Sequence, residues 1–231
     1  RTVVNPFPVP LYSGIAGETF PDTQTVSDES FSVLVDNNDV AHVWYGQQVV
    51  LDDDVAEGWN YFPLDIGIRY WNENMTTTPV LLPFSGLNHE PVNGNCDVLV
   101  SSAYTGGNAP DAYFQAYSSC PQAGIDQNGN IYVVFSSIRS AIIDSFGNVT
   151  NVDDDNFLYT DIFIHKSEDG GASWIGPVNV SDAANAESYY PSIPRNIYGN
   201  QVDVIYQEDA DPGTIVQDQL GGDFTFDTNY I

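Results

Sequence analysis

The stretch IFIHKSEDGGASW, residues 162–174, decides the fold that we expect for this chain. It begins with apolar, strand-forming residues, and a polar turn with two adjacent glycines follows them. In that turn the carboxylate of Asp169 can accept hydrogen bonds from main-chain N–H groups, and Gly171 can adopt a positive φ. Trp174 can fold under the turn and cover the edge of a sheet. The stretch therefore predicts two strands joined by a tight, ordered turn.

A second pattern occurs three times along the chain. It consists of an apolar pair, a polar turn and an alternating strand with aromatic residues, and it covers residues 33–45, 123–135 and 191–206. The residues that open the three turns lie about 90 and about 70 positions apart. Residues 66–78 follow the first copy by about 30 positions, as residues 162–174 follow the second. Each unit therefore predicts a hairpin, an excursion and two further strands, which together make one four-stranded propeller blade.

The predicted fold class is all-β, because helical periodicity is nearly absent and strand-like runs are plentiful. We expect one β-propeller segment over residues 1–231, with blade-like units at about residues 30–90 and 91–180 and an incomplete unit at 181–231. A compact β-sandwich is the alternative. Because propellers close with about four to eight blades, three blades predict that the remaining ones belong to the same precursor or to another chain.

Residues 167–174, SEDGGASW, resemble the Asp-box motif S-x-D-x-G-x-T-W of sialidases and other bacterial-neuraminidase-repeat propellers. The matching positions are Ser167, Asp169, Gly171 and Trp174, and a serine replaces the usual threonine. In that family the turn lies away from the central funnel in which ligands bind. The resemblance therefore implies a propeller fold and a structural role for these four residues.

The resemblance also raises the question of catalysis. Sialidases of this fold bind the substrate carboxylate with three arginines, and they use a tyrosine nucleophile paired with a glutamate and an aspartic acid as general acid. Glu187 is close in sequence to two tyrosines before a predicted strand, and a carboxylate can take the proton of a phenol. The candidate catalytic residues are therefore Glu187, Tyr189, Tyr190, Arg139 and Arg195.

The arginines decide between an enzyme and a binding module. The chain has four arginines and lacks the Arg-Ile-Pro motif of the sialidase family. This absence favours a module without catalysis. Convergence of Arg139 and Arg195 on a Tyr–Glu pair would favour the enzyme instead.

The composition excludes several classes of partner. The chain has 32 acidic residues against 5 basic ones, and its formal net charge is -27. It therefore lacks the lysines and arginines that bind nucleic acid or an anionic membrane surface. No apolar run reaches the roughly 18 to 20 residues of a membrane-spanning helix, so we expect no membrane insertion. Aspartates outnumber glutamates 24 to 8, which favours turns and an extracellular or high-salt setting, and we expect a secreted or cell-surface protein.

Two further features concern the redox compartment and metal binding. A hairpin centred near residue 108 would place Cys96 opposite Cys120, and the predicted disulfide implies an oxidising compartment. Two unpaired thiols are the alternative. Runs of three aspartates in predicted turns can hold Ca²⁺ through carboxylate oxygens, or they are solvated surface charges. These runs are Asp52, Asp53 and Asp54, and Asp153, Asp154 and Asp155.

The leading functional hypothesis is an extracellular, non-catalytic propeller module that binds a glycan or a protein, or that forms part of a surface assembly. The 14 tyrosines and 4 tryptophans support this hypothesis, because amphipathic rings suit contacts with sugars and proteins. The alternatives are a sialidase-like glycoside hydrolase and a fragment whose partner half carries the active site.

Overall fold

The computed structural model describes residue 4 and residues 24–51, 60–62, 67–76, 78–83, 116–138, 159–181, 186–199 and 201–210. Every regular element in these ranges is a β-strand, which confirms the predicted all-β class. The same ranges contain no helix that is long and apolar enough to cross a membrane. The strands are β1 Gln24–Val35, β2 Ala41–Leu51, β3 Asn60–Phe62, β4 Ile68–Asn72, β5 Val80–Leu81, β6 Ser118–Asp126, β7 Ile131–Ile138, β8 Thr160–Ser167, β9 Ile175–Asn179, β10 Glu187–Ser192, β11 Asn196–Ile197 and β12 Ile205–Asp209.

Sheet 1 consists of strands β1, β2, β4 and β5, which follow one another in chain order and are antiparallel throughout. Strand β3 pairs with the far end of β2. Side chains alternate between the two faces along each strand. Leu34, Trp44 and Tyr70 therefore point to one face, where all three are buried.

Sheet 2 repeats this arrangement with strands β6, β7, β8 and β9, again antiparallel and in chain order. Strand β11 adds to its edge in parallel with β6. In the second strand, the adjacent residues Val133, Val134 and Phe135 are each 0% exposed. Because adjacent residues point to opposite faces, sheet 2 is buried on both sides.

Sheet 3 consists of β10 and β12, which are antiparallel. The segment after β10 packs on Gly124 of sheet 2, since a Cβ built on that glycine would lie 3.3 Å from Ile193 Cδ1 and 3.1 Å from Ile197 Cδ1. Gly124 lies on the face of sheet 2 that is opposite to Ile125. The three sheets therefore follow one another as layers, with sheet 2 in the middle.

The apolar core lies between sheets 1 and 2. Trp174 packs on this core, with its ring centroid 5.1 Å from that of Tyr70 and 6.0 Å from that of Trp44, both in edge-to-face geometry. Such aromatic pairs contribute about 0.5–1.5 kcal/mol beyond the burial of their area. The buried members are Leu34, Trp44, Ile68, Tyr70, Leu82, Ile125, Ile131, Val133, Phe135 and Phe163.

The first turns of sheets 1 and 2 have the same internal hydrogen bonds. The Asp36 carboxylate accepts the N–H of Asn38 at 2.8 Å and that of Val40 at 2.9 Å. The Asp126 carboxylate accepts the N–H groups two and four residues later at the same two distances. The predicted turn chemistry is therefore present in both copies.

Each of the three sheets has the same irregularity near the start of its first strand. A register shift interrupts β1, β6 and β10, and each shift contains a residue other than glycine with a positive φ. These residues are Glu29, Cys120 and Tyr190, with φ values of 72°, 54° and 52°. Such bulges re-aim side chains and often lie next to functional sites.

The neighbours of β6 correct the predicted disulfide. Cys120 is a free cysteine in this structure, so the predicted bond to Cys96 is absent, and Cys96 itself lies outside the described residues. Strand β6 pairs with β7, and the Cys120 main-chain N–H donates to Ser30 Oγ of β1 at 3.1 Å. The equal spacing of the two cysteines about residue 108 could not reveal this non-local pairing.

Candidate functional site

The first strands of sheets 1 and 2 lie side by side and are joined by serine side chains. Ser119 Oγ donates to Asp28 Oδ2 at 2.6 Å, and Ser32 Oγ accepts the N–H of Ala123 at 3.1 Å. These hydrogen bonds replace the ladder that paired strands would form. We call the polar group at this end of the sheets, Asp28, Ser119, Cys120, Glu187 and Tyr189, the strand-start cluster.

Asp28 is the most strongly bonded member of the cluster. Its Oδ1 accepts the N–H and the Oγ–H of Ser30 at 3.0 and 2.7 Å, and its Oδ2 accepts the Ala116 N–H at 3.1 Å besides the Ser119 hydroxyl. Burial raises the pKa of Asp28, although the hydrogen bonds from Ser119 and Ser30 oppose that shift. A Cβ on Gly46 would overlap this carboxylate, so the glycine makes room for it.

Glu187 and Tyr189 come from sheet 3. The Glu187 side chain is buried, and its Oε2 accepts the N–H of Thr160 at the start of β8. Burial raises the pKa of Tyr189 well above its ordinary value, and the nearby Cys120 and Glu187 raise it further. The phenol of Tyr189 therefore keeps its proton at neutral pH.

Tyr190 is the exposed neighbour of this pair. Its ring stands edge-to-face on the ring of Tyr189 with a centroid distance of 4.7 Å, and 42% of its surface is exposed. The positive φ at this position turns the side chain out of the strand's regular alternation. Tyr190 is thus an exposed aromatic ring that rests on a buried one.

Cys120 does not have the properties of a reactive cysteine. Burial raises the pKa of its thiol to about 11, and the hydrogen bond with Ser119 only partly opposes this shift. The thiolate is the nucleophilic form, so the thiol is inert at neutral pH.

The structure does not bring Arg195 to the Tyr–Glu pair. Its side chain is exposed, and its carbonyl accepts the N–H of Ile125 at 2.9 Å near the far end of β6. At 3.3 Å per residue, that end lies about 16 Å from Cys120. Arg139 lies outside the described residues. Arg69, which the sequence did not single out, donates from Nε to Gln47 Oε1 at 2.5 Å, next to the pairing of Gln47 with Ser27.

Several buried polar atoms near the strand starts have no hydrogen-bond partner among the described residues. They are Gln48 Oε1, Ser136 Oγ and Ser188 Oγ. Ser136 is paired with Ser119 across the β6–β7 ladder, and Ser188 directly precedes Tyr189. Buried polar atoms in proteins nearly always have partners, so these three atoms are exceptions to that rule.

A repeated serine was the sequence signal that could have located this region. Ser27, Ser118 and Ser188 each lie two residues before the positive-φ residue of their bulge. The sequence singled out Glu187, Tyr189 and Tyr190 here, but it missed Asp28 and Ser119.

The residues that resemble the Asp-box, 167–174, run from the last residue of β8 to the residue before β9, and we call this segment the box turn. Ser167 Oγ accepts the Gly171 N–H at 2.8 Å, and the Asp169 carboxylate accepts both the N–H and the hydroxyl of Ser173 at 2.8 and 2.6 Å. The hydrogen bonds from Ser173 lower the pKa of Asp169. Strand β8 separates this turn from Thr160, and hence from Glu187, by about 23 Å at 3.3 Å per residue. Trp174 ends the turn and packs on the core.

The acidic runs Asp52–Asp54 and Asp153–Asp155 lie outside the described residues, so calcium at either of them stays a prediction. In the part of the chain that the structure describes, no group of three His, Cys, Asp or Glu side chains could hold a metal ion.

The sequence was compared with protein-family models and with curated proteins, and neither comparison gave a match.

Proposed function

We propose that this chain is part of an extracellular β-propeller, with a fold like that of the sialidase-like superfamily, and that it binds a neutral glycan without catalysing a reaction. The partner sugar would rest on the exposed ring of Tyr190, beside the strand-start cluster.

The layered sheets support the propeller over the sandwich. In a two-sheet sandwich each sheet buries one face and leaves the other to solvent. Sheet 2 instead buries both faces, with Val133 on one side and Val134 on the other. Sheets 1 and 2 are consecutive four-stranded antiparallel sheets, and their first strands lie side by side. Neighbouring propeller blades have this arrangement.

The hydrogen bond that Glu187 accepts from β8 is the observation that argues against catalysis. A Tyr–Glu mechanism needs a carboxylate that is free to take the phenol's proton. The Glu187 carboxylate accepts a main-chain N–H of β8, and the phenol it would activate is 6% exposed with a raised pKa. Arg195, a candidate for binding the substrate carboxylate, lies near the other end of β6.

The charge and the exposed ring favour a neutral ligand. A net charge of -27 repels anionic sugars such as sialic acids. An aromatic ring held at the surface, as Tyr190 is on Tyr189, can stack on the apolar face of a sugar.

Calorimetric titration with neutral and sialylated oligosaccharide libraries tests the proposal. We expect binding to a neutral glycan, with an affinity that falls about tenfold in Tyr190→Ala. Tyr198→Ala is the matched control, because Tyr198 is also exposed but follows β11 at the other end of the sheets. Equal losses in the two variants, or a preference for sialylated glycans, would contradict the proposal.

A glycoside hydrolase is the second candidate, because one observation favours it. The cluster brings Asp28, Glu187 and Tyr189 together, and a carboxyl whose pKa is raised by burial is the form that a general acid needs. Turnover of fluorogenic glycosides by the native chain, abolished in Glu187→Gln while the circular dichroism spectrum is kept, would favour the enzyme. We expect no turnover.

A further inference from the structure

Two Asn-x-Ser/Thr sequences of the chain lie in the part that the structure describes. A sequence of this kind, with any residue except proline at x, is the acceptor for N-linked glycosylation in secreted proteins. The two are Asn74-Met75-Thr76, in the turn after β4, and Asn179-Val180-Ser181, at the end of β9. A third, at residues 148–150, lies outside the described residues. The same motif therefore occurs in two structural settings that can be compared.

The amide of Asn74 is not needed to hold its turn. Asn72 closes that turn, because its carbonyl accepts the Met75 N–H and its Oδ1 accepts the Asn74 N–H, both at 3.0 Å. The Asn74 and Thr76 side chains are exposed, and neither has a hydrogen-bond partner among the described residues. Both groups of the motif are therefore open to an enzyme.

The side chains of the Asn179 motif are instead part of the fold. Asn179 Nδ2 donates to Asp161 Oδ2 at 2.8 Å, and Asn179 Oδ1 accepts the Ser181 N–H at 3.2 Å. The Ser181 hydroxyl donates to Asp161 Oδ1 at 3.1 Å and accepts the Ile162 N–H at 3.0 Å. Asp161 is 1% exposed. The nitrogen that would take a sugar therefore donates to a buried carboxylate between β8 and β9.

We propose that Asn74 is a site of N-linked glycosylation and that the folded chain protects Asn179 from it. This rests on the proposed extracellular location, since the modification belongs to exported proteins. The donor is an oligosaccharide joined to a lipid through a diphosphate. Asn74 Nδ2 forms a bond to the anomeric carbon of the first sugar, and the bond from that carbon to the diphosphate oxygen breaks. The amide loses one proton, and the lipid diphosphate leaves.

The proposed site lies at the end of sheet 1 that is away from the strand-start cluster. The last residue of β4 pairs with His42 of β2, whereas Gly46 of β2 lies against the Asp28 carboxylate. At about 3.3 Å per residue, the stretch of β2 between them spans about 13 Å. A glycan on Asn74 is therefore attached at the other end of the sheet from the cluster beside which Tyr190 lies.

Transfer by a purified single-subunit oligosaccharyltransferase to the folded, purified chain tests the proposal, because the reaction then begins after folding. Every chain carries Asn148→Gln, so that the third sequence cannot take a sugar. We expect the intact mass to rise by one oligosaccharide and peptide mapping to place it on Asn74. Because the hydrogen bonds of Asn179 and Ser181 must open first, transfer to Asn74 should be about a hundredfold faster than transfer to Asn179.

Matched variants and peptides show whether the fold causes this difference. Asn74→Gln should abolish the transfer, and Asn179→Gln should leave it unchanged. Thr76→Ser gives both motifs the same hydroxyl residue, and the difference in rate should remain. Peptides of residues 71–78 and 176–183 carry the two motifs without the fold, so both should be modified. In the chain isolated from its own source, a peptide N-glycosidase should convert Asn74 to aspartate and leave Asn179 unchanged.

Three results would overturn the proposal. They are similar rates at the two sites of the folded chain, no transfer to Asn74 in the folded chain or its peptide, and no glycan on Asn74 in the chain from its own source. The proposed glycan binding is tested separately by calorimetry on the unmodified chain. Binding at Tyr190 without transfer to Asn74 removes the modification alone, and transfer without binding removes the binding function alone.

Discussion

The box turn and the strand-start cluster both depend on an aspartate carboxylate, but they connect very different parts of the chain. Asp169 holds Ser173, four residues later, and the neighbouring Ser167 holds Gly171 over the same separation. Asp28 instead holds Ala116 and Ser119, which are 88 and 91 residues away. The first network orders one hairpin, whereas the second ties sheet 1 to sheet 2.

The surroundings of the two carboxylates differ in the same sense. Hydrogen bonds lower the pKa of Asp169 at the surface, and burial raises the pKa of Asp28 in the interior. A local network at the surface therefore stabilises the conformation of one turn, whereas a buried, non-local network stabilises the packing of two sheets. Breaking the first should have effects near the turn, and breaking the second should affect the whole fold.

Gly171 is a place where the backbone of the box turn comes close to sheet 1, and its replacement should give the largest effect. Its φ is +89°, and an added Cβ would overlap the Tyr70 hydroxyl of sheet 1. We expect Gly171→Ala to lower the free energy of unfolding by about 4 kcal/mol, from backbone strain and overpacking together. Gly170→Ala is the matched control, since Gly170 also has a positive φ but no atom within 4 Å of the added Cβ, and it should cost about 1 kcal/mol. Equal losses in urea titrations would mean that the contact with Tyr70 is unimportant.

The pH dependence of stability should separate the two regions by its sign. Burial lowers the pKa of His165, which lies beside Trp174, from 6.5 to about 4. The unfolded chain therefore binds a proton at His165 more tightly than the folded chain does. The contribution of neutral His165 to the free energy of unfolding is complete above pH 6.5 and is lost as the pH falls towards 4. The loss should amount to about 3 kcal/mol, and His165→Gln should remove it in denaturant titrations across this range.

Asp28 should contribute to the same pH profile with the opposite sign. Because its folded pKa is raised above 3.8, the folded chain binds the proton more tightly, and stability falls as the pH rises through the raised value. As the pH falls below neutrality, the free energy of unfolding should therefore fall more steeply in Asp28→Asn than in the native chain. In His165→Gln it should fall less steeply. The same slope in both variants would contradict the assignment of these two groups.

Asp28→Asn should also destabilise the fold at neutral pH by about 2 kcal/mol. Each carboxylate oxygen accepts one main-chain N–H and one serine hydroxyl. A hydroxyl can rotate away from the new amide group, but in either orientation of the asparagine one main-chain N–H faces an NH₂ and loses its acceptor. Asp36→Asn makes the same exchange in the local β1–β2 turn and should cost less in thermal unfolding. A larger loss for Asp36→Asn would reverse the comparison.

The sequence predicted those features that depend on residues only a few positions apart. The aspartates that open the first turns, Asp36 and Asp126, and the serine-aspartate pair of the box turn all act within four residues. The alternation of apolar residues likewise indicated strands. These are local consequences of backbone geometry and side-chain chemistry.

The strand-start cluster could not be derived in the same way. Asp28 meets Ser119 because two bulged strands lie side by side across about 90 residues, and neither residue belongs to a motif on its own. The predicted role of Cys120 was wrong for the same reason, since symmetric spacing does not show which strand pairs with which. Glu187 and Tyr189 were found by their chemistry, yet their burial and the use of Glu187 to hold β8 depend on the packing of three sheets.

The smallest expected effect comes from Ser167→Ala, and its location is more informative than its size. Ser167 is buried, and its hydroxyl accepts the Gly171 N–H, so its removal leaves that N–H unpaired and should cost about 1 kcal/mol. Asp169 still holds Ser173, so the loss should stay in the turn. Amide hydrogen exchange should accelerate at Gly171 and leave Ala116 unchanged in Ser167→Ala, whereas Asp28→Asn should accelerate Ala116 and the adjoining strands. If Ser167→Ala also accelerated exchange at Ala116, the turn and the cluster would belong to one cooperative unit, because an opening confined to residues 167–174 cannot reach an amide that Asp28 holds.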